Sequence, residues 1–298
     1  MILEIDPKVD YVFKRLLGRE ESTPLLIHVL HAVLQLPPGH AIVALDLLNP
    51  FQEKDFDADK LSILDIKVRD QAGRLYNVEI QLLIVDAFLA RVLYYWSRLY
   101  QGQLTEGQDY SALRPTVTII FANGRLFPEL PGWHAVFELR ERQAGLLFNE
   151  HMQIHVLEIP KFNLTAAELK TPLERWMYFL KHGAELDPDN LPETLRTPEI
   201  LQAVAEVKKM TQSELERERY ESRLKWQRDL ATGFKEAEQR GERKGRLLAL
   251  VHGIHLCQRL LRRPQTPADQ LQSLPIEDLQ RLNKELENEL TRNVTPGG

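Results

Sequence analysis

The stretch LDIKVRDQAGRLYNVEIQ, residues 64–81, leaves the chain little conformational choice. In its first half Leu64, Ile66 and Val68 alternate with Asp65 and Lys67; in its second half Tyr76, Val78 and Ile80 alternate with Asn77, Glu79 and Gln81. Successive strand side chains point to opposite faces, so each half is a strand with one apolar face. Both apolar faces must enter one core, and a slip of one residue would bury the wrong set. The connecting loop therefore has an odd length. Gln71, Ala72 and Gly73 fill it, and a three-residue hairpin loop ends in a left-handed position that glycine adopts without a Cβ penalty. Asp70 then faces Arg74, and counting inward brings Lys67 opposite Asn77 and Asp65 opposite Glu79.

Directly opposed residues on one face have Cβ atoms about 5 Å apart. Two carboxylates at that separation repel by roughly 3 kcal/mol at an effective dielectric of about 20. Something positive should sit there. A hard cation such as Mg2+ takes oxygen ligands, commonly one or two carboxylates with several waters retained, and Asp65 and Glu79 are the ligand candidates. The alternative is that Lys67 and Arg69 neutralise the pair or that the acids diverge into solvent. Spacing alone leaves both readings open.

Around the hairpin the pattern is that of a mixed α/β unit. KVDYVFKRLLG, residues 8–18, sets Val9, Val12, Phe13, Leu16 and Leu17 along one helical face, with Asp10 and Lys14 four apart beside it and Gly18 at the end. A second helix is predicted in STPLLIHVLHAVLQLP, with Ser22 or Thr23 as cap, Pro24 in the first turn, and Pro37 and Pro38 as its stop. Residues 41–50, 61–68 and 74–83 read as three antiparallel strands, and 86–104 as an amphipathic crossover helix carrying Phe88, Val92, Tyr95 and Leu99 at helical spacing. Further strands are predicted at 114–122 and 151–159, and a helix interrupted or restarted at Pro172 across 166–183. The order describes a mixed β-sheet flanked by helices.

From about residue 200 the texture changes to Glu, Lys, Arg and Gln with few core-sized residues, which predicts a long solvated helix or a partly disordered arm. Gly233, Gly241 and Gly245 weaken any continuous coiled coil there. TPADQLQSLPIEDLQRLNKELENEL, residues 266–290, reads as a small helical pair punctuated by Pro267 and Pro275. The expected division is a domain at 1–185 and a charged helical C-terminal extension at 186–298.

Composition narrows the function. The formal charge of −5, from 38 basic against 43 acidic residues, argues against a broadly basic nucleic-acid coat and leaves room for local basic patches. Apolar runs are too short to cross a bilayer, the single Cys257 cannot form an internal disulfide, and the first residues lack the pattern of a secretory signal. The expectation is a cytoplasmic protein that does not enter a membrane. No phosphate-binding loop or nucleophile elbow is present. Asp55, Asp57 and Asp59 alternate like a calcium loop, but Lys60 stands where such a loop needs glycine. The pairs His28 and His31, His151 and His155, and His252 and His255 lack the further ligands of a zinc site, so packing or surface roles are expected.

Four segments in order, DYVFKRLLG, LDIKVRDQAGRLYNVEIQ, ARVLYYWSRLYQGQLTEGQDYSALRPTVTIIF and LERWMYFL, resemble the PD-(D/E)XK nucleases. More narrowly, they resemble the Rpn family of recombination-promoting nucleases, a group also described as transposases. The similarity covers about the first 180 residues. It implies a restriction-endonuclease-like core and a metal-dependent endonuclease acting on DNA, with Asp65 as the motif aspartate and Glu79 as the second metal-binding acid. Mg2+ is the implied ion, with Mn2+ as a substitute. Gln81 stands where the broader superfamily usually has lysine, although the narrower family also uses this E-x-Q form. Glutamine can orient a water or a phosphate oxygen but carries no positive charge. Lys67, on the same predicted face, is a candidate to compensate.

Asp10 resembles the helical acid that often assists the metal in this superfamily; its other reading is a helix-surface partner for Lys14. Arg91 lies three before Tyr94 and four before Tyr95, so either ring can meet it. Arg91 and Tyr95 are the substrate-binding candidates, with Arg91 clamping a phosphate; for the tyrosines packing is the other reading. The rival to catalysis is a nuclease fold kept as an interaction protein. In either case the C-terminal helices are expected to join copies into a homo-oligomer.

Overall fold

The structure is a computed structural model that describes residues 2–37, 39–48, 65–84 and 87–294, and only the backbone of Asp65, Asn293 and Val294. Pro38, Leu64 and the aspartates at 55, 57 and 59 fall outside these residues. The hairpin has the expected register: β2 (Asp65–Asp70) pairs antiparallel with β3 (Leu75–Gln81), Asp65 opposite Glu79 and Lys67 opposite Asn77. Gly73 has φ 81°, and its N–H donates to the Asp70 carbonyl at 2.9 Å. The buried Asp70 carboxylate locks the turn by accepting from the N–H groups of Ala72 and Arg74, the Arg74 guanidinium and the Tyr76 hydroxyl. Burial first, and then Asp70, push the Tyr76 hydroxyl pKa up.

β1 (Leu45–Leu47) pairs antiparallel with β2, completing the three-strand meander. β4 (Thr116–Ala122) runs parallel to β3, and β6 (Met152–Glu158) parallel to β4. A parallel neighbour requires a crossover, here supplied by α3 (Phe88–Gln101). The last strand, β5 (His134–Glu138), has no counterpart in the sequence reading. It is short and lies at the edge of the sheet, where Val136 remains exposed, so its segment lacks the apolar density of β4. The order β1-β2-β3-β4-β6-β5 is a mixed sheet with helices on its faces, as expected.

One face carries Ile66, Val68, Tyr76, Val78 and Ile80 into the large core. Helices α1 (Asp10–Leu17) and α2 (Thr23–Leu34) cover it through Val12, Phe13, Leu16, Leu26 and Leu30. α2 stops at Leu34 because Gln35 adopts φ 47°, three residues before the first of the two prolines. α4 (Pro172–His182) is a fresh start: the Thr171 hydroxyl accepts from the Glu174 N–H, and the Glu174 carboxylate accepts from the Thr171 N–H. α5 (Pro198–Gln212) adds Ile200, Val204 and Val207 to the same core.

The chain divides into compact units at Met1–Lys225 and Trp226–Gly298. Composition placed a boundary near residue 185, but segment 186–225 packs on the first unit's core because a helix of high overall polarity can still bury one apolar stripe. α6 (Glu214–Leu260) begins in the first unit and runs unbroken through Gly233, Gly241 and Gly245. Each glycine costs about 1 kcal/mol relative to alanine, and the flanking Glu, Lys, Arg and Ala are strong helix formers. In the second unit Val251, Ile254 and Cys257 of α6 pack with Leu271 of α7 (Ala268–Gln272) and with Leu279 and Leu286 of α8 (Ile276–Val294). Pro267 and Pro275 precede α7 and α8 as anticipated. No helix among the described residues is long and apolar enough to cross a membrane.

His155 of β6 and His134 of β5 share a ring-nitrogen hydrogen bond of 3.0 Å. Burial, then the neighbouring His134, pull the His155 pKa from 6.5 to about 4. Between those values the unfolded chain binds a proton that the folded chain refuses, so stability falls as pH drops through this window, by up to about 1.4 kcal/mol per pH unit. His155→Gln is expected to flatten the difference in melting temperature between pH 6.5 and 4.5; an unchanged slope would remove His155 as its source.

Candidate functional site

Glu79 is only 5% exposed although it is a carboxylate in the middle of a sheet. Its face is set by register: Asn77, Glu79 and Gln81 lie beside Thr118, Ile120 and Ala122 of β4, and Ile120 and Ala122 pack with Phe88 and Val92 of α3. The acid row thus occupies the sheet face that α3 covers, opposite the large core. Asp65 occupies the position across from Glu79, where cross-strand Cβ atoms stand about 5 Å apart.

α3 is fastened at its far end, where the Trp96 indole donates to the Thr116 carbonyl at 2.8 Å and the Trp96 ring stacks on Tyr100. Its first turn reaches the acid row. There Arg91 Nη2 donates to Gln81 Oε1 at 2.7 Å, and Gln81 Nε2 donates to the Leu83 carbonyl. Two residues chosen separately from sequence, Gln81 and Arg91, are therefore one hydrogen-bonded unit. Arg91 lies over the Phe88 ring at 5.1 Å. The half-buried Tyr95 meets Tyr94 edge-on at 5.5 Å, and among the described residues it has no hydrogen bond to Arg91. Packing accounts for that contact.

Lys67 is half-buried opposite Asn77, and Asn77 lies beside Thr118, so a polar row adjoins the acids. Asn77 Oδ1 and Thr118 Oγ1 are buried without a hydrogen-bond partner. The sequence reading passed over Thr118 because TVTIIFA reads as an apolar strand; its parity with Ile120 and Ala122 was the available signal. Buried Glu158, beside Ala122 on the same face, was also missed. It accepts from the N–H groups of Leu126 and Phe127 and pairs with Lys161 at 2.5 Å, holding the loop that follows β4.

Asp10 is engaged elsewhere. Arg223 of α6 takes its carboxylate with Nε at 2.9 Å from both oxygens and with Nη2 on Oδ2, both side chains being largely buried. Next to it Tyr11 donates to Glu216 at 2.6 Å, and Arg15 donates to the other oxygen of Glu216. Burial first, and then Glu216, push the Tyr11 pKa up. The first turns of α6 are thus latched to α1 by charged groups.

The sequence profile of the PD-(D/E)XK nuclease family transposases matches residues 7–237. The chain belongs to this family. Neither a search of curated proteins nor one of solved structures finds a significant match. The matched range holds every PD-(D/E)XK candidate, from Asp10 to Tyr95, and extends past Arg223 into α6. PD-(D/E)XK nucleases generally use divalent metals. The donors here suit one: a buried carboxylate with a second acid across the strand and an unpartnered amide oxygen two residues away are hard oxygen ligands. Among the described residues no three His, Cys, Asp or Glu side chains gather.

Removing one partner of a buried ion pair costs about 3–5 kcal/mol, because the other charge is left unpaired. Arg223→Met is therefore expected to lower unfolding stability by that amount in urea titration, with part of the loss recovered in Asp10→Asn/Arg223→Met. Equal stability of the single variant and the wild type would show that the pair does not hold α6 to α1.

Proposed function

We propose that this chain is a metal-dependent DNA endonuclease that hydrolyses phosphodiester bonds, with Mg2+, or Mn2+ in its place, held by Asp65 and Glu79. The observation that carries the reading is the placement of Glu79, a buried carboxylate directly across the strand from a second acid, on the face that α3 covers. A carboxylate buried across the strand from the position of a second acid is a natural place for a divalent cation, whose charge offsets both. A bound divalent ion supplies Lewis acidity toward a phosphate oxygen and a lowered pKa for water. Around it the chain's own groups do the rest: Arg91, hydrogen-bonded to Gln81, clamps a phosphate, and Lys67 adds positive charge on the same face. The transposase description of the family supports a role in recombination or mobile-element biology.

The test is cleavage of purified duplex DNA by the full chain in magnesium. Asp65→Asn and Glu79→Gln are each expected to lose at least about 100-fold in rate while remaining folded. Magnesium should raise the wild-type melting temperature and leave that of Glu79→Gln unmoved, since only a folded site that binds the ion is stabilised by it. Wild-type cleavage rates in both variants would take these acids out of the mechanism.

A further inference from the structure

The E-x-Q sequence leaves the site one positive charge short, and the structure shows where a cation arrives. Arg91 comes from the first turn of α3 and donates to Gln81 Oε1 at 2.7 Å. The other end of the Gln81 amide donates to the Leu83 carbonyl, so both ends of the amide are committed and its orientation is set. Among the described residues no carboxylate pairs with Arg91; its partners are a neutral amide and, beneath it, the Phe88 ring at 5.1 Å. Among the described residues this half-buried guanidinium thus has a neutral partner and an aromatic one, with donors to spare. It also sits at the positive end of a 14-residue helix, where the dipole disfavours a cation and favours an anion. Five N–H donors in a planar fork leave several beyond the one spent on Gln81, in the geometry that suits two phosphate oxygens.

We infer that Arg91, aimed by Gln81, is the cation that meets the scissile phosphate, standing in for an ammonium on residue 81, and that Gln81 is a positioning residue. This rests on the nuclease reading above and deepens it. The charge that grows on the phosphoryl oxygens in the transition state is met by a guanidinium already held in place. Lys67 is then not required to make good the missing charge.

Four full-length chains test the inference: wild type, Arg91→Gln, Gln81→Lys/Arg91→Gln and Arg91→Lys. Arg91→Gln is expected to lose about 100-fold in kcat on duplex DNA with magnesium, the range seen when one preorganised transition-state donor is removed, with KM nearly unchanged and the magnesium-induced melting shift intact. The double variant, which returns a charge at residue 81, should recover to within about tenfold of wild type, and Arg91→Lys should keep at least about a tenth of the wild-type rate. Wild-type turnover in Arg91→Gln overturns the inference. So does a double variant or an Arg91→Lys no faster than Arg91→Gln while folded and magnesium-responsive. If the wild type does not cut duplex DNA, the nuclease reading fails, and binding of the same duplex without metal at low salt decides the remainder. Loss in Arg91→Gln with recovery in the double variant keeps the pair as a phosphate site, and unchanged binding removes it.

Discussion

A turn of three residues controls the rest of this molecule. Gly73 closes the β2–β3 loop at positive φ, and the buried Asp70 carboxylate collects four donors around it, so the register cannot slip without breaking all of them. A one-residue shift would turn one strand over against the other, sending either Ile66 and Val68 or Val78 and Ile80 out of the large core. The same geometry that protects the core places two acids face to face. Stability and the candidate chemistry share one constraint.

The helix that covers the acid row delivers a charged group together with its apolar ones. α3 packs Phe88 and Val92 onto Ile120 and Ala122 and in the same turn brings Arg91 to Gln81. On the opposite face of the sheet Asp10 is occupied by Arg223, so the helical acid of the superfamily pattern serves here as the anchor of α6. The family match likewise runs beyond the α/β core and into α6. α6's first turns belong physically to the first unit.

Much of the fold was legible because its signals are local. Alternation over residues 64–81, helical spacing over 8–18 and 86–104, and proline or glycine at the ends of segments each act within a few residues. β5 was missed because an edge strand buries only part of one face and so carries a diluted pattern. Composition near residue 185 gave no hint of a related feature: average polarity hides the one stripe of α5 that enters the core. The candidate acids were named correctly as neighbours, while Thr118 and Glu158 were hidden in strands read as apolar.

By itself the sequence determined that Asp65 and Glu79 face each other, since strand periodicity and an odd loop settle that without reference to anything distant. Tertiary structure alone decided where the two arginines arrive. Arg91 reaches Gln81 because α3 crosses the sheet at one particular angle, and Arg223 reaches Asp10 from 213 residues away. Side-chain pairing between elements depends on how they pack, and no local period encodes that.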